Sequence, residues 1–262
     1  MTAHLECDVI TPVDIVLSVA VATGPDVVTE SLNVSIDGVP VGTGEILDDH
    51  GTRLHVAERI PVGLLVVDYA GQVSSLAEPA PTRPFDLVRY LRPSRYCESD
   101  RLSPLARAEF AWLEGADLVS AVSTWVRTRI GYMPGSSRPI DGAVATLLAQ
   151  QGVCRDFAHL VIAFLRACDV PARLASVYAP GLSPMDFHAV AEAYVDGQWN
   201  AVDATGLAPR STMLRIATGR DAADTAFLTN SRGIIVLTGM EVVAYTDERL
   251  PFDDVNALAE LR

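Results

Sequence analysis

The stretch Gly152-Val153-Cys154-Arg155-Asp156-Phe157-Ala158-His159-Leu160 places a cysteine at the predicted start of a helix. From Cys154 onward, apolar residues recur at the spacing of a core-facing helical stripe: Phe157, Leu160, Val161, Phe164, Leu165 and Cys168. The first-turn amides and the helix dipole favour negative charge, and therefore favour a thiolate over a thiol. The pattern predicts a buried helix that begins at a nucleophilic cysteine.

The same stretch also has an ordinary structural interpretation. Free cysteine is among the most buried residue types, and many cysteines in helices pack as small apolar side chains. Cys7, Cys97 and Cys168 are interpreted in this way. For Cys154, the choice between the two interpretations depends on which side chains lie beside its sulfur.

Two polar residues on the same helix are poor partners for that sulfur. His159 and Asp156 lie about 140° and 200° around the helix from Cys154. His159 falls in line with Arg155 and Arg166, which predicts a polar face. Asp156 is better placed to complement the helix dipole in the first turn.

Composition limits the compartment and the partners. The chain has 262 residues, of which 49% are hydrophobic, and this is enough for one large domain or two. A formal charge of -13 argues against nucleic acid or an anionic membrane surface as the main partner. No apolar run approaches the roughly 18 residues of a membrane helix, and the N-terminal residues lack the basic start of a signal peptide. We therefore expect a cytoplasmic protein with reduced cysteines and no membrane partner.

The N-terminal third of the sequence predicts β structure. Short runs rich in Val, Ile and Leu are separated by turn residues such as Asp37-Gly38, and they cover 13–22, 31–41, 54–60 and 64–69. Strands at this spacing indicate a small sandwich or barrel. The proline-rich stretch Pro79-Ala80-Pro81-Thr82-Arg83-Pro84 then stops both helix and sheet. We predict a β-sandwich-like domain over residues 1–78 and a second domain over 85–262.

The second domain predicts an α+β fold. Helices are expected at 103–113, where Ser103-Pro104 resembles a helix start, and at 118–130 and 142–151, before the cysteine helix. A strand is expected at 172–178, and two more at 234–237 and 242–245. The aromatic and aliphatic stripes of these helices are interpreted as core.

A hairpin is predicted downstream of the cysteine helix, between His188 and Thr205. Asp196-Gly197 lies between two apolar runs and is a strong signal for a two-residue turn. The register set by this turn puts Asp203 opposite Val190, which shares a sheet face with His188. His188 and Asp203 then become diagonal neighbours, roughly 7 to 8 Å apart at the backbone and within side-chain reach of each other.

Packing of this hairpin against the cysteine helix would bring thiol, imidazole and carboxylate together. Such an array can store the thiol proton on the histidine while the carboxylate orients the ring. A metal site built from Cys154, His188 and Asp203 is the weaker alternative, because the sequence has no short-spaced ligand pair. No cofactor motif is present, and no cofactor or metal is predicted.

Several motifs resemble the bacterial transglutaminase-like superfamily. They are the cysteine stretch at 152–159, Pro-Ala-Arg at 171–173, Asp-Phe-His-Ala at 186–189, Trp199 ahead of Asp203-Ala204-Thr205, and the segments 93–100 and 219–224. The resemblance implies a papain-like core of helices on an antiparallel sheet, preceded by a small all-β domain. It also implies that 85–262 is a catalytic domain with Cys154 as nucleophile, His188 as general base and acid, and Asp203 as orienting group.

The resemblance further implies a cysteine enzyme that attacks a peptide or protein amide through a thioester. Hydrolysis is favoured because water needs no dedicated pocket, while transfer to an amine and a non-catalytic interaction scaffold are the alternatives. Calcium-dependent cross-linking is less favoured, since no Asp-x-Asp-x-Asp-Gly loop is present. Animal members use an aromatic residue upstream of the cysteine as a second oxyanion donor. Trp125 and Tyr132 are upstream here, and Tyr132 could line a cleft beside Met133.

Overall fold

The computed structural model describes residues 1–79, 81–255 and 257–261, so Ala80 of the predicted linker lies outside the described residues. The strands are β1 (Thr2–Val9), β2 (Val13–Leu17), β3 (Val27–Ile36), β4 (Val39–Pro40), β5 (Gly44–Leu47), β6 (Arg53–Ile60), β7 (Gly63–Val73), β8 (Gly131–Tyr132), β9 (Gln151–Gly152), β10 (Ala172–Tyr178), β11 (His188–Val195), β12 (Gln198–Val202), β13 (Leu214–Gly219), β14 (Leu228–Ser231) and β15 (Ile235–Val243). The helices are α1 (Pro84–Arg89), α2 (Ser99–Phe110), α3 (Gly115–Arg129), α4 (Ala143–Ala149), α5 (Cys154–Ala167) and α6 (Ala222–Thr225), with a 3₁₀ turn at Arg210–Thr212.

The N-terminal region contains two antiparallel sheets that share one core. Their strand orders are β15-β1-β7-β3-β4 and β14-β2-β6-β5. Leu5 and Leu65 from the first sheet and Ile15 and Leu17 from the second are fully buried in this core. Buried and exposed positions alternate along β1 and β2, as expected for strands with one solvated face. The expected all-β region is therefore present, and β1 and β5 are strands that the sequence patterns did not identify.

The last two strands of the chain belong to this β region. β15 pairs along the whole of β1, and β14 pairs with β2. The predicted assignment of 85–262 to a single catalytic domain is corrected at this point, because residues 228–243 complete the N-terminal sheets. The two strands expected at 234–237 and 242–245 are also one continuous strand, β15. Pairing between segments more than 200 residues apart leaves no local signal in the sequence.

A third, four-stranded sheet carries the helices, which confirms the predicted α+β architecture. Its antiparallel order is β12-β11-β10-β13. Helix α5 lies against β10 and β11 and is surrounded by α2, α3 and α4. Leu160, Val161 and Phe164 of α5 are fully buried against Val122 and Val126 of α3.

Helix α5 is buried on nearly every side, which differs from the predicted polar face. All residues from Asp156 to Ala167 are buried, and His159 and Arg166 are among them. The Arg166 guanidinium donates hydrogen bonds to the carbonyls of Ala172, Arg92 and Arg220. Nε2 of His159 accepts the Ala222 N–H at 3.1 Å, so segments that cover the helix supply partners to both side chains.

Helix α2 begins earlier than the sequence signal at Ser103-Pro104. It starts at Ser99 and keeps Pro104 inside. The burial of Leu102, Ala106 and Phe110 stabilises the helix by more than is lost with the one backbone hydrogen bond that Pro104 removes. Among the described residues, no helix is long and apolar enough to cross a membrane.

Candidate active site

Cys154 is the first residue of α5, and the carboxylate of Asp156 in the same first turn fixes the start of that helix. Oδ2 of Asp156 accepts the Val153 N–H at 2.9 Å, and Oδ1 accepts the Ser137 hydroxyl at 2.9 Å. Asp156 is buried, as expected for a first-turn carboxylate that complements the dipole. Cys154 is a free cysteine and is partly buried at the helix N-terminus.

The hairpin has the predicted register. Val195 pairs with Gln198, and Ala191 pairs with Val202. Asp196 and Gly197 both have positive φ angles, 55° and 84°, as a two-residue type I′ turn requires. This register places the first residue of β11, His188, and the residue after β12, Asp203, on adjacent strands.

His188 and Asp203 are joined by a buried hydrogen bond, which confirms the predicted contact. Nε2 of His188 lies 2.9 Å from Oδ2 of Asp203, and both side chains are almost completely buried. Oδ1 of Asp203 accepts the N–H of Thr205 at 2.9 Å and its hydroxyl at 2.7 Å. Both carboxylate oxygens are therefore occupied, and the ring orientation is fixed.

The other nitrogen of His188 faces the cysteine. Nδ1 of His188 is buried and has no hydrogen-bond partner among the described residues, while the Cys154 side chain lies close enough to raise the pKa of His188. Because Asp203 occupies Nε2, the contact with sulfur belongs to Nδ1. The imidazole thus lies between thiol and carboxylate.

The electrostatics of the pair favour a protonated histidine. Burial lowers the pKa of His188, but the charge of Asp203 and the hydrogen bonds to Asp203 and Cys154 outweigh it and raise that pKa to about 10. Burial raises the pKa of Asp203. The charge and hydrogen bond of His188 and the hydrogen bonds of Thr205 lower it by more, so the net shift is downward. The ring can therefore hold a proton taken from sulfur.

Tyr132 lies beside the nucleophile. β8 runs parallel to β9, with Tyr132 opposite Gly152, and the Tyr132 ring is 5.9 Å from that of Phe157. Burial and the charge of Cys154 raise the pKa of Tyr132 to about 12, although a hydrogen bond with the Cys154 backbone lowers it. Tyr132 is therefore close to both the side chain and the backbone of Cys154, in the region where an oxyanion would form. Trp125 is not at the site, because its indole packs edge-on to Phe164 in the helical core.

Comparisons with known proteins agree with this geometry. The sequence profile of the transglutaminase-like superfamily matches residues 112–204, which include Cys154, His188 and Asp203. A candidate cysteine protease from Cytophaga hutchinsonii, solved by crystallography, is 33% identical; the match covers 99% of this chain and 94% of that chain, with a TM-score of 0.88. The chain belongs to the transglutaminase-like superfamily. Both matches support a cysteine-dependent enzyme of this superfamily.

Curated relatives of this transglutaminase-like protein occur in mycobacteria. An uncharacterized protein of Mycobacterium leprae is 29% identical over 120 residues, which are 41% of this chain and 42% of that protein. An uncharacterized protein of Mycobacterium tuberculosis is 30% identical over 154 residues, or 51% of this chain and 49% of that protein. The chain covers less than half the length of either relative.

Sequence reasoning missed two residues at this transglutaminase-like site. Thr205 holds the second oxygen of Asp203, and the Asp-x-Thr spacing is a known signal for such a local turn. Asp186, two residues before His188, has a pKa that burial raises, and its charge acts on Tyr132. Met185 beside it is 42% exposed, so this loop reaches the protein surface close to the site.

Proposed function

We propose that the protein is a cysteine-dependent enzyme that hydrolyses an amide bond of a peptide or protein through a thioester. The observation that carries this proposal is the position of His188, with Asp203 on Nε2 and Cys154 on the other side of the ring. An interaction scaffold has no physical need for this arrangement in a buried setting.

In the first half of the reaction, Cys154 is the nucleophile. His188 holds the proton taken from the thiol, so the Cys154 thiolate attacks the carbonyl carbon and the carbonyl π electrons move onto oxygen. The Cys154 N–H and the Tyr132 hydroxyl donate to this oxyanion. Collapse of the intermediate expels the amine, which receives the proton from His188, and leaves an acyl thioester on Cys154.

In the second half, water resolves the thioester. His188, now neutral, removes a proton from water as the water oxygen attacks the acyl carbon. The second tetrahedral intermediate uses the same two donors, and its collapse expels the thiolate and releases a carboxylic acid. Asp203 stays ionised throughout and stabilises the imidazolium in each half.

Transfer of the acyl group to an amine is the second candidate, and Asp186 is the observation that favours it. Asp186 is an exposed residue, and its partly buried carboxylate lies close enough to the site for its charge to act on Tyr132. A carboxylate at the rim would concentrate a cationic amine near the thioester. Hydrolysis remains the first candidate because water needs no binding pocket.

The substrate class and the compartment follow from the same features. A partly buried thiol at a cleft rim with exposed Met133 and Met185 suits an extended peptide segment.

Four free cysteines support a reducing compartment, and we place the reaction in the cytoplasm. No metal or cofactor takes part in the steps above.

Product analysis tests the proposal. The protein is incubated with a peptide library in heavy-oxygen water, with and without a primary amine, and the products are analysed by mass spectrometry. Hydrolysis predicts heavy oxygen in new carboxyl groups, transfer predicts amine adducts, and both disappear in Cys154→Ser. Cys168→Ser, which alters another partly buried cysteine, is the matched control and keeps full activity. Products that persist in Cys154→Ser would refute the proposal.

A further inference from the structure

A cavity of about 200 Å³ lies where the β region meets the sheet of the catalytic region. Thr23, His50 and Gly51 line it from the β region, and Arg173, Arg215 and Thr218 line it from the sheet. Glu192, the carboxylate that pairs with both arginines, lies on β11 four residues from His188. This spacing corresponds to about 13 Å along the strand. The cavity is therefore separate from the thiol site.

Two arginines share one carboxylate at the wall of this cavity. Nε of Arg173 donates to Oε2 of Glu192 at 2.7 Å. Nη1 and Nη2 of Arg215 donate to Oε2 and Oε1 of the same carboxylate, each at 2.7 Å. Burial raises the pKa of Glu192, but the two guanidinium groups outweigh this and lower it to about 2. The three side chains together carry one net positive charge in a buried position.

Arg173 is the part of this cluster that lacks hydrogen-bond acceptors. Its side chain is 1% exposed, and neither Nη1 nor Nη2 has a hydrogen-bond partner among the described residues. The guanidinium carbon lies 4.0 Å from the ring centre of Trp199, so an aromatic face covers one side. Buried donors and buried charge without a partner are costly, which makes this guanidinium a site for an acceptor.

The neighbouring carboxylates do not bind the Nη groups of Arg173. Asp49 at the cavity rim is mostly exposed and pairs with Arg83 at 3.3 Å. Asp86 does not line the cavity; its Oδ1 lies 3.5 Å from Nε2 of His50 and 3.9 Å from Arg89, and its Oδ2 has no hydrogen-bond partner among the described residues. Neither carboxylate pairs with Arg173, so its two Nη groups remain available to an acceptor.

We infer that this cavity binds a small oxyanion, a carboxylate or a phosphate. A guanidinium presents parallel N–H groups that match two oxygens of such an anion, and Arg173 has both Nη groups available. Thr218 accepts from Arg215 through Oγ1 at 2.8 Å, which leaves its hydroxyl proton for the anion. Thr23 supplies a second hydroxyl from the β region. The bound anion joins the two regions and stabilises their junction.

Thermal unfolding of the full chain tests this site. Tm is measured against increasing phosphate, and separately against acetate, with chloride at equal ionic strength as reference. An anion that binds only the folded protein raises Tm in proportion to the logarithm of its concentration. We expect such a rise for at least one of the two anions, and the arm that responds identifies the ligand class. Arg173→Gln should weaken binding by roughly tenfold or more, because it removes a charged bidentate donor.

Matched variants keep the test decisive. Arg107→Gln alters an exposed arginine that pairs with Asp169 and should keep the full Tm response. Thr23→Val removes one cavity hydroxyl without a change of charge, so calorimetric titration should show binding weakened several-fold even if Arg173→Gln does not fold. A wild-type response equal to that of chloride overturns the inference. So does an unchanged affinity in Thr23→Val or an unchanged response in a folded Arg173→Gln.

Discussion

Nε2 of His188 lies 2.9 Å from Oδ2 of Asp203 inside the protein, and Nδ1 of the same ring is left without a hydrogen-bond partner among the described residues. The turn at Asp196-Gly197 sets this contact, because it fixes the pairing of β11 and β12. Thr205 then holds the second carboxylate oxygen. A two-residue turn and one hydroxyl thus orient the proposed proton carrier.

Replacing Asp203 with asparagine tests the orienting role. The variant keeps the size of the side chain but loses the charge that raises the His188 pKa, so kcat should fall by roughly 10²- to 10⁴-fold. NMR titration of the ring should show a lower His188 pKa than in the wild type. Asp169→Asn, an exposed carboxylate on the surface, is the control and should change neither quantity. An unaltered kcat in Asp203→Asn would remove Asp203 from the mechanism.

Stability should fall on the alkaline side because of His188. Its pKa rises from 6.5, the ordinary value, to about 10 in the folded protein, so the folded state binds this proton more tightly. The resulting stabilisation is complete below about pH 6.5 and is lost as the pH rises through about 10. Urea unfolding of wild type and His188→Gln should be compared between about pH 6.5 and about pH 10. The difference between their free energies of unfolding should shrink as the pH rises. A difference that grows with pH would contradict the raised pKa.

Tyr132→Phe isolates the second oxyanion donor. The ring and its packing on Phe157 remain, and only the hydroxyl beside the Cys154 N–H is lost. The expected effect is a drop in kcat of roughly 10- to 10³-fold with little change in KM, since the donor acts mainly in the transition state. Tyr245→Phe, on a mostly exposed ring, is the matched control. A change confined to KM would assign Tyr132 to substrate binding.

Asp186→Asn separates the two fates of the thioester. Loss of the rim carboxylate should reduce any transfer to a cationic amine by about two- to tenfold, because surface charges act weakly through water. Hydrolysis of a neutral peptide should remain unchanged. The two rates are measured in the same reaction from the ratio of amine adduct to free acid. An equal loss of both would show that Asp186 supports the chemistry itself.

The β region should not fold from residues 1–78 alone. β1 and β2 would each lose one hydrogen-bonded neighbour, β15 and β14, and their backbone groups would be left at open sheet edges. Circular dichroism and urea unfolding of a 1–78 fragment should show no cooperative transition. The same fragment with residues 226–245 joined through a flexible linker should recover a cooperative unfolding transition. Cooperative unfolding of 1–78 by itself would restore the predicted boundary.

The elements that the sequence predicted well are those set by local patterns. The apolar spacing after Cys154 and the Asp196-Gly197 turn each act within about a dozen residues, and both the helix and the hairpin register are confirmed. The contact between His188 and Asp203 followed from that register. Local patterning is sufficient in these cases because the same residues make the structure and carry the signal.

The features that escaped prediction depend on distant pairing. β15 completes a sheet begun by β1, and loops that contain Arg92 and Arg220 cover the expected polar side of α5. Tyr132 reaches the site because β8 pairs with β9, two residues on each strand. No periodicity marks such short or distant contacts, so the position of Tyr132 beside Cys154, the strand β14 and the pairing of β15 with β1 could only be located in the folded chain.

Alkylation of Cys154 as a function of pH tests the assembled Cys–His pair most directly. Intact-mass spectrometry after brief exposure to a dilute thiol reagent, from about pH 5 to about pH 9, reports how much reactive thiolate is present. The structure predicts rapid single labelling at Cys154 already near pH 6 and its loss in His188→Ala. Slow labelling that rises only near the pKa of a free thiol, about 8.5, and is unchanged in His188→Ala would contradict the proposed mechanism.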